Sequence, residues 1–464
     1  MLTRQCADVA KLSYHLRLNG DRIQESALRA FDGDVRAAVE ASLGGAVGDD
    51  SWMQACLGVT KGGLGLRSAA NIALASFVAS RVTSRPHVRE MAGHLEEAGL
   101  ATVAVVMRAY DDRTECALEA LVSLLPSARG GELIDTVAAA AANSEAVWAR
   151  LFDDEAAGPL DDAPRRPGPR GIGATLTPPD EDEDSEHPDN SGGTRAVRLQ
   201  RLILAFMDEQ HEEQLRNMHV AAGRSSAMMR LEELADPETD HAWLWHLSKH
   251  RGPVLQSDEY VEALRVRLGC AGPAEPVACA LCNAALFDSA GAHAHCCSTA
   301  EATRGHHAVS REVLGVAKQL DPSSEHEAPG LIPGTRLRPA DVLTGALGHG
   351  LTALDVGIAS PDAQHAGDDC RATMYAEKVA YYAPHGDALG RQGIDYQPLI
   401  WSAYGRPHPR TTTILRTLSR KLARRRGCSD AERRYRRLRA AIATEIWRRA
   451  AKQVFACWPS CDDD

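Results

Sequence analysis

Aromatic residues are scarce in this chain of 464 residues, at 5%. Ala, Leu, Val and Arg dominate instead, a composition that favours helices. No apolar run is long enough to span a bilayer, and the opening "MLTRQCADVAKLSYHL" has no signal-peptide h-region. These absences exclude a long apolar span and a secretory leader, so the expectation is a nuclear or cytoplasmic protein that is not secreted. No repeat of fixed period is present. Two familiar motifs are also incomplete. The glycines of "KGGLGLRS" are not followed by the Lys-Ser/Thr of a phosphate loop, and "HEEQL" lacks the second His of a zincin. The first reads as a helix break with Ser68 capping the next helix, the second as a solvated helix face.

What is present is ample apolar material, at 44%, enough for two to four domains. The formal charge of −11 is unevenly placed. Acid gathers in "DDEAAGPLDD" and "PPDEDEDSEHPDNSGG". Base gathers between Arg406 and Lys452, in "RKLARRR" and "ERRYRRLR". A net acidic chain can still carry a basic nucleic-acid-binding face, here Arg420, Lys421, Arg424, Arg425, Arg426, Arg433, Arg434, Arg436 and Arg437. The alternative is a solvated basic helix with no partner.

Hydrophobic spacing predicts helices over 1–152, as in "VRAAVEASL" and "ALEALVSLL". Residues 153–195 are rich in Pro, Gly and acid, without periodicity, and read as a disordered linker. Helices resume over 196–269. A Cys/His segment fills 270–305, and a mixed pattern follows over 306–427. There "HHAVSREVLGVAKQL" reads as a helix, "RLRPADVLTG" and "LTALDVGIAS" as strands, "CRATMYAEKVAYYA" as a helix, "YQPLIWSAYG" as a strand and "RTTTILRTLSRKLARR" as a helix. That order implies a small mixed sheet covered by helices. A basic helix and tail close the chain over 428–464. Trp401, Tyr404 and Trp447 read as core residues.

Twelve cysteines in so long a chain are no small disulfide scaffold. The stretch "CALCNAALFDSAGAHAHCC" places Cys279 and Cys282 in a Cys-x2-Cys turn, which supplies two thiolates. His293 and Cys297 fit as the second pair. Cys296 is an alternative to Cys297, and His295 is a spare. Four protein ligands make such a site structural. A redox pair needs Cys-x-x-Cys opening a helix after a strand, which the pattern lacks. Buried, unliganded cysteines are the third reading.

Downstream, Asp341 and Asp355 lie in consecutive predicted strands with thirteen residues between them. Adjacent strands bring both carboxylates to one sheet edge, where oxygen ligands can hold Mg²⁺. Lys378 on the following helix would stabilise charge on a scissile phosphate, with Glu377 as a possible extra ligand. The bland reading makes the acids strand-end residues and Lys378 a surface residue. An acid inside "ALDVGI" is hard to reconcile with it, because burying an unpaired charge is costly.

These residues resemble the C-terminal part of the polyprotein of non-LTR retrotransposons that carry a restriction-endonuclease-like domain. "CALC…GAHAHCC" is similar to that family's CCHC zinc knuckle. "TRGHHAVSREVL" is similar to the segment linking knuckle to nuclease, and "RPADV", "ALDVGI" and "EKVAYY" to a PD-(D/E)xK core. "YQPLIWSAYGRPH" resembles its late strand. "AKLSYHLR", "FDGDVR" and "WMQACLGVTKGGLGLRSAANIALASFVASR" resemble the region after the polymerase palm. The likeness covers residues 1–80 and about 270–427, and rests on the order of motifs. It implies a multidomain chain: mostly α in its N-terminal half, then a knuckle, then an α/β nuclease with a small mixed sheet. It also implies structural zinc, catalytic Mg²⁺, Asp341, Asp355 and Lys378 in catalysis, and His306 in the family's usual His position. Three departures stand out. Ala340 splits the Pro-Asp pair. Gly357 occupies the position that is Lys in many restriction enzymes. No aromatic-x-Asp-Asp motif is present, so no reverse transcriptase activity is expected from this chain.

Three functions follow from this reading. The first is a Mg²⁺-dependent DNA endonuclease nicking target DNA for target-primed reverse transcription, with element RNA and a polymerase in trans as possible partners. The second is a non-catalytic zinc-containing nucleic-acid binder descended from one. The third is an unstable fragment.

Overall fold

The computed structural model describes residues 12–151, 192–245, 253–273, 275–297, 300–348, 350–427 and 430–458. Most of the predicted linker lies outside them; its last residues, 192–195, open a helix. The described chain is mostly helical, with a small mixed sheet and a Cys/His cluster. None of its helices is long and apolar enough to cross a membrane.

Contacts group the chain into two compact units, Leu2–Ala37 with Leu66–Glu213, and Ala38–Gly65 with Gln214–Asp464. The early helices are α1 (Ser13–Asn19), α2 (Glu25–Leu43), α3 (Asp49–Cys56), α4 (Ala69–Glu97), α5 (Val103–Ser123), α6 (Ser127–Leu151), α7 (Gly192–Ala221) and α8 (Ser225–Ala235), and the first unit contains α4, α5 and α6. Phe77, Val78, Leu121, Leu133 and Ile203 form its core. Ser68 caps α4 by accepting from the Asn71 N–H, as expected from the glycine break before it.

The second unit takes in the glycine-rich segment, and buried polar side chains show why. Gln54 Nε2 donates to the carbonyls of Gly62 (3.1 Å) and Arg267 (2.8 Å). Arg267 in turn donates to the carbonyls of Val59 and Gly63. A side chain on Gly63 would strike the Leu57 carbonyl. The glycines therefore serve close backbone packing around a buried arginine.

In this unit α9 (Ser257–Leu268) leads to a hairpin of β1 (Val277–Ala278) and β2 (Leu286–Phe287). Then come α10 (Ala300–Leu320), β3 (Glu325–His326), β4 (Val342–Thr344), β5 (Leu351–Ala359), α11 (Cys370–Tyr382), α12 (Gly386–Gly390), β6 (Ile394–Ser402), α13 (Pro409–Arg425) and α14 (Ala431–Cys457). The sheet runs β3-β4-β5-β6, antiparallel except for β5 against β6. A parallel pair needs a crossover, and α11 is part of it. The predicted strand around "RPADV" shortens to three residues, and β3 was not predicted.

The closing basic helix exposes its arginines mainly at its start. From Ala440 onward most α14 side chains are buried, Trp447 completely. One stretch of α14 packs with α10, α13 and the sheet through Leu438, Ile442 and Ile446. Its end packs with α9 and the hairpin through Trp447, Ala450 and Val454. Trp401 and Tyr404 are core residues too, as expected.

Candidate functional site

The Cys/His segment folds around the hairpin. Cys279 directly follows β1, and the turn continues through Asn283, whose φ of 49° is left-handed. The backbone N–H groups of Cys282 and Leu281 face the Cys279 sulfur. Burial pushes that thiol up, yet these donors hold its pKa below the usual value. The N–H groups of Ala284 and Ala285 lower Cys282 in the same way. Gly291, at φ 71°, turns the chain into a short 3₁₀ helix, Ala292–His295. That helix returns His293 and Cys297 to the first pair.

The donor atoms of Cys279, Cys282, His293 and Cys297 all lie within 4.8 Å of one another. Cys279 Sγ is 3.9 Å from Cys297 Sγ, and Cys282 Sγ is 3.3 Å from His293 Nε2. A tetrahedron with Zn–S bonds of about 2.3 Å has edges of about 3.8 Å. Three thiols and one imidazole at this spacing could hold a metal ion such as zinc. The alternative ligand Cys296 lies elsewhere, its thiol donating to Ser360 Oγ at 3.3 Å. His295 is also apart, buried edge-on against Tyr404. Cys457, at the end of α14, was missed from sequence. Its thiol hydrogen-bonds with Cys279 and Cys297, and its carbonyl accepts from the Ala280 N–H at 2.9 Å. No local spacing announces it, because it arrives from the far end of the chain.

The second cluster forms on the sheet. Asp341 stands just before β4, with its N–H on the Leu354 carbonyl at 3.0 Å. Val342 pairs with Leu354, so Asp341 stands beside Asp355 of β5. Asp341 Oδ1 accepts from His306 Nε2 of α10 at 3.0 Å, and Oδ2 accepts from the Val356 N–H at 2.7 Å. Asp355 is 6% exposed. Its Oδ1 accepts from Lys378 Nζ at 2.6 Å and its Oδ2 from the Tyr396 hydroxyl at 2.5 Å. Lys378 Nζ also donates to the Val356 carbonyl at 3.0 Å.

Gly357 explains how a lysine on α11 reaches β5. A Cβ there would lie 3.0 Å from Lys378 Cε, 2.8 Å from Met374 Sδ and 2.7 Å from Ile400 Cδ1. The missing side chain leaves room for the Lys378 stem. Glycine at the expected lysine position and lysine on the helix are therefore one arrangement. Tyr396 was not expected; its ring packs on Tyr382 at 4.8 Å between centroids. Glu377 is exposed on α11 and makes none of these contacts, so it does not join the carboxylates. Adjacent helix positions face different directions, and Lys378 takes the inward one.

The two carboxylates are driven apart electrostatically. Burial raises Asp355, and Lys378 and Tyr396 counter this only in part. Burial also pushes Asp341 up, but the His306 hydrogen bond and charge, with the Val356 N–H and Lys378, hold it below its usual value. Burial and the Asp355 charge push the Tyr396 hydroxyl up. Opposed shifts in neighbouring acids are a pattern of functional sites.

The basic residues divide. Arg420, Arg424, Arg433, Arg436 and Arg437 are exposed. Arg425 and Arg426 are exposed too, but reach the Leu320 carbonyl and Gln319 Oε1 respectively. Lys421 and Arg434 are half-buried, and Lys421 Nζ donates to the Leu347 carbonyl. No family model matches this chain. No curated protein matches it either.

Proposed function

We propose that this chain is a Mg²⁺-dependent DNA endonuclease derived from a non-LTR retrotransposon, built on a restriction-endonuclease-like sheet. One observation carries the reading: two neighbouring sheet carboxylates with opposed pKa shifts, a lysine on one and a histidine on the other. Asp341 and Asp355 would hold Mg²⁺, which when bound supplies Lewis acidity at a phosphate and lowers the pKa of water. Lys378 offers a cation beside the same carboxylates to meet the charge that develops on the phosphate. His306 orients Asp341, and Tyr396 orients Asp355. The Cys/His cluster takes zinc as a structural ion, and nucleic acid engages the exposed arginines of α13 and α14. DNA is the substrate, element RNA and a polymerase in trans are partners, and the nucleus is the site of action.

Supercoiled plasmid, Mg²⁺ and zinc-loaded protein test this. Nicking by wild type, lost in both Asp341→Ala and Asp355→Ala, is the expected result. Nicking that survives either substitution removes the site assignment. A second reading, a non-catalytic nucleic-acid binder, has its own support. Each oxygen of both carboxylates already accepts a hydrogen bond from protein. It expects salt-dependent binding that Mg²⁺ and chelators leave unchanged, with no nicking.

A further inference from the structure

Helix α11 carries two rows of side chains with different surroundings. Met374, Lys378 and Tyr382 recur every four residues and face the sheet. Met374 packs with Ile400, Lys378 donates to Asp355, and Tyr382 packs on Tyr396. Glu377 and Tyr381 are also four apart and form an exposed row beside the first. Tyr381 is 60% exposed. It follows Lys378 by three residues, a spacing that makes side chains neighbours on a helix surface, about 5–6 Å apart at Cβ.

Three tyrosine rings therefore run from the surface to the carboxylates. Tyr381 meets Tyr382 edge-to-face, with centroids 5.0 Å apart and planes at 90°. Tyr382 packs on Tyr396 at 4.8 Å between centroids, and the Tyr396 hydroxyl donates to Asp355 Oδ2 at 2.5 Å. Tyr382 is also held at its far end, where its hydroxyl donates to the Arg338 carbonyl at 3.2 Å. An edge-to-face contact covers at most one face of one ring. At least one face of Tyr381 is therefore left uncovered by Tyr382. Single exposed aromatics are ordinary on protein surfaces. This one is distinguished by its place: it is braced by a ring that is itself fixed twice, and it stands one helical turn from the lysine on Asp355. A tyrosine held in this way presents a rigid π-surface at little further entropic cost.

We propose that Tyr381 is a stacking platform for a DNA base, the base beside the phosphate that Asp341, Asp355 and Lys378 engage. The inference rests on the endonuclease site proposed above and adds a substrate preference to it. A base inside a duplex offers the protein an edge, not a face, so the base on Tyr381 must be out of its own stack. The preferred DNA accordingly carries an unpaired or displaced base next to the scissile phosphate, where unstacking costs least. Every base has a π-face, so the preference is for structure and not for sequence. Stacking also leaves a signature different from that of an arginine or lysine. It adds affinity without neutralising a phosphate, and so without changing the salt dependence of binding.

The experiment uses full-length wild type, Tyr381→Ala and Tyr381→Phe. Tyr14→Ala is the control, an exposed tyrosine (68%) of the other compact unit. Mg²⁺ is withheld so that the DNA stays whole. One probe is a duplex with a single unpaired aminopurine, whose fluorescence falls when it stacks; the other is the same duplex fully paired. Wild type should bind the unpaired probe more tightly than the paired one and quench it. Tyr381→Ala should lose the quench and bind the unpaired probe about tenfold more weakly or worse. Its affinity for the paired probe, and its slope of log affinity against log salt, should stay as in wild type. Tyr381→Phe keeps the ring and should match wild type, as should Tyr14→Ala. A full quench by Tyr381→Ala overturns the platform. So does Tyr381→Phe as weak as Tyr381→Ala, which moves the role to the hydroxyl, and so does an equal loss in Tyr14→Ala. Adding Mg²⁺ separates this inference from the nuclease reading. A Tyr381-dependent quench without nicking leaves the platform on a non-catalytic binder, and nicking without such a quench leaves the nuclease without the platform. Wild type that binds neither probe overturns both.

Discussion

Replacing Gly357 by alanine tests whether the glycine exists to admit Lys378. The added methyl would stand 2.7 Å from Ile400 Cδ1, 2.8 Å from Met374 Sδ and 3.0 Å from Lys378 Cε. Carbon atoms in ordinary contact sit about 3.5–4.0 Å apart, so each neighbour must yield by roughly half an ångström or more. Ile400 is fully buried and has little room to move. Met374 and Lys378 are flexible, so they take up the strain. Displacing Lys378 breaks bonds of 2.6 Å to Asp355 and 3.0 Å to the Val356 carbonyl. Overpacking of this kind costs about 1–3 kcal/mol. The entropy that alanine removes from the unfolded chain offsets about 0.4–1 kcal/mol. A net loss of about 0.5–2 kcal/mol is expected.

Urea unfolding measures that loss directly. Gly315→Ala on α10 is the control, because a Cβ there meets nothing within 4 Å. It should stabilise by up to about 1 kcal/mol. The sharper reading comes from the double variant. In a Lys378→Met background the methionine no longer has to reach Asp355, so Gly357→Ala should cost clearly less than in wild type. The coupling should lie in the range of about 0.5–3 kcal/mol seen for contacting residues. Strictly additive effects, or a Gly357→Ala protein as stable as wild type, would falsify the idea that the glycine makes room for the lysine.

Lys378→Met alone should destabilise in a pH-dependent way. Burial raises the Asp355 carboxyl, so between its ordinary and raised values the native state binds more protons and stability falls as pH rises. Without Lys378 the carboxyl rises further; the variant's deficit should open above that value and close as pH falls through it, read from urea midpoints at several pH values. A deficit that is constant with pH counts against a direct lysine–carboxylate pair. Zinc content by atomic absorption should be lost in Cys297→Ser and kept in Cys296→Ser, and the reverse outcome would exchange the two neighbouring cysteines as ligands. Chelation should expose the Cys279 and Cys297 thiols to a thiol reagent; thiols equally reactive with and without zinc argue against a metal there. His306→Ala should allow the Asp341 pKa to rise, measured by carboxyl carbon NMR, and an unmoved value removes histidine as its partner.

Much of the C-terminal unit was legible from periodicity. A nearly continuous apolar run marks β5, because a central strand is buried on both faces, and Asp355 interrupts it at the middle. Helix α11 follows from Met374, Lys378 and Tyr382 recurring every four residues. The metal ligands were legible because each pair is local; the choice between Cys296 and Cys297 depended on which sulfur the 3₁₀ turn carries inward. What escaped depends on long-range partners. Glu25–Leu43 reads as one helix, yet from Ala38 the chain groups with residues more than 150 positions away, through bonds such as Gln54 to Arg267. Tyr396 and Cys457 have no local pattern at all.

The C-terminal helix shows what composition hides. The arginines of α14 suggest a solvated grip, but the small alanines between them decide the fold. Ala440, Ala443, Ala450 and Ala451 are all buried and let neighbouring elements approach the helix closely. Long arginine stems then lie across those neighbours while their charged ends seek acceptors. Arg439 finds the Glu238 carbonyl at 2.9 Å, and Arg448 finds Glu259. Arg449 finds none. One helix therefore supports the Cys/His hairpin at its end, the sheet carrying Asp341 and Asp355 at its middle, and exposed arginines at its start. Loss of metal should consequently be felt beyond the hairpin. The hairpin core includes Trp447 and Val454 of α14, and the sheet core includes Ile442 and Ile446 of the same helix. If zinc removal leaves amide exchange at Ile442 and Ile446 as slow as before, the two cores are independent and α14 does not couple them.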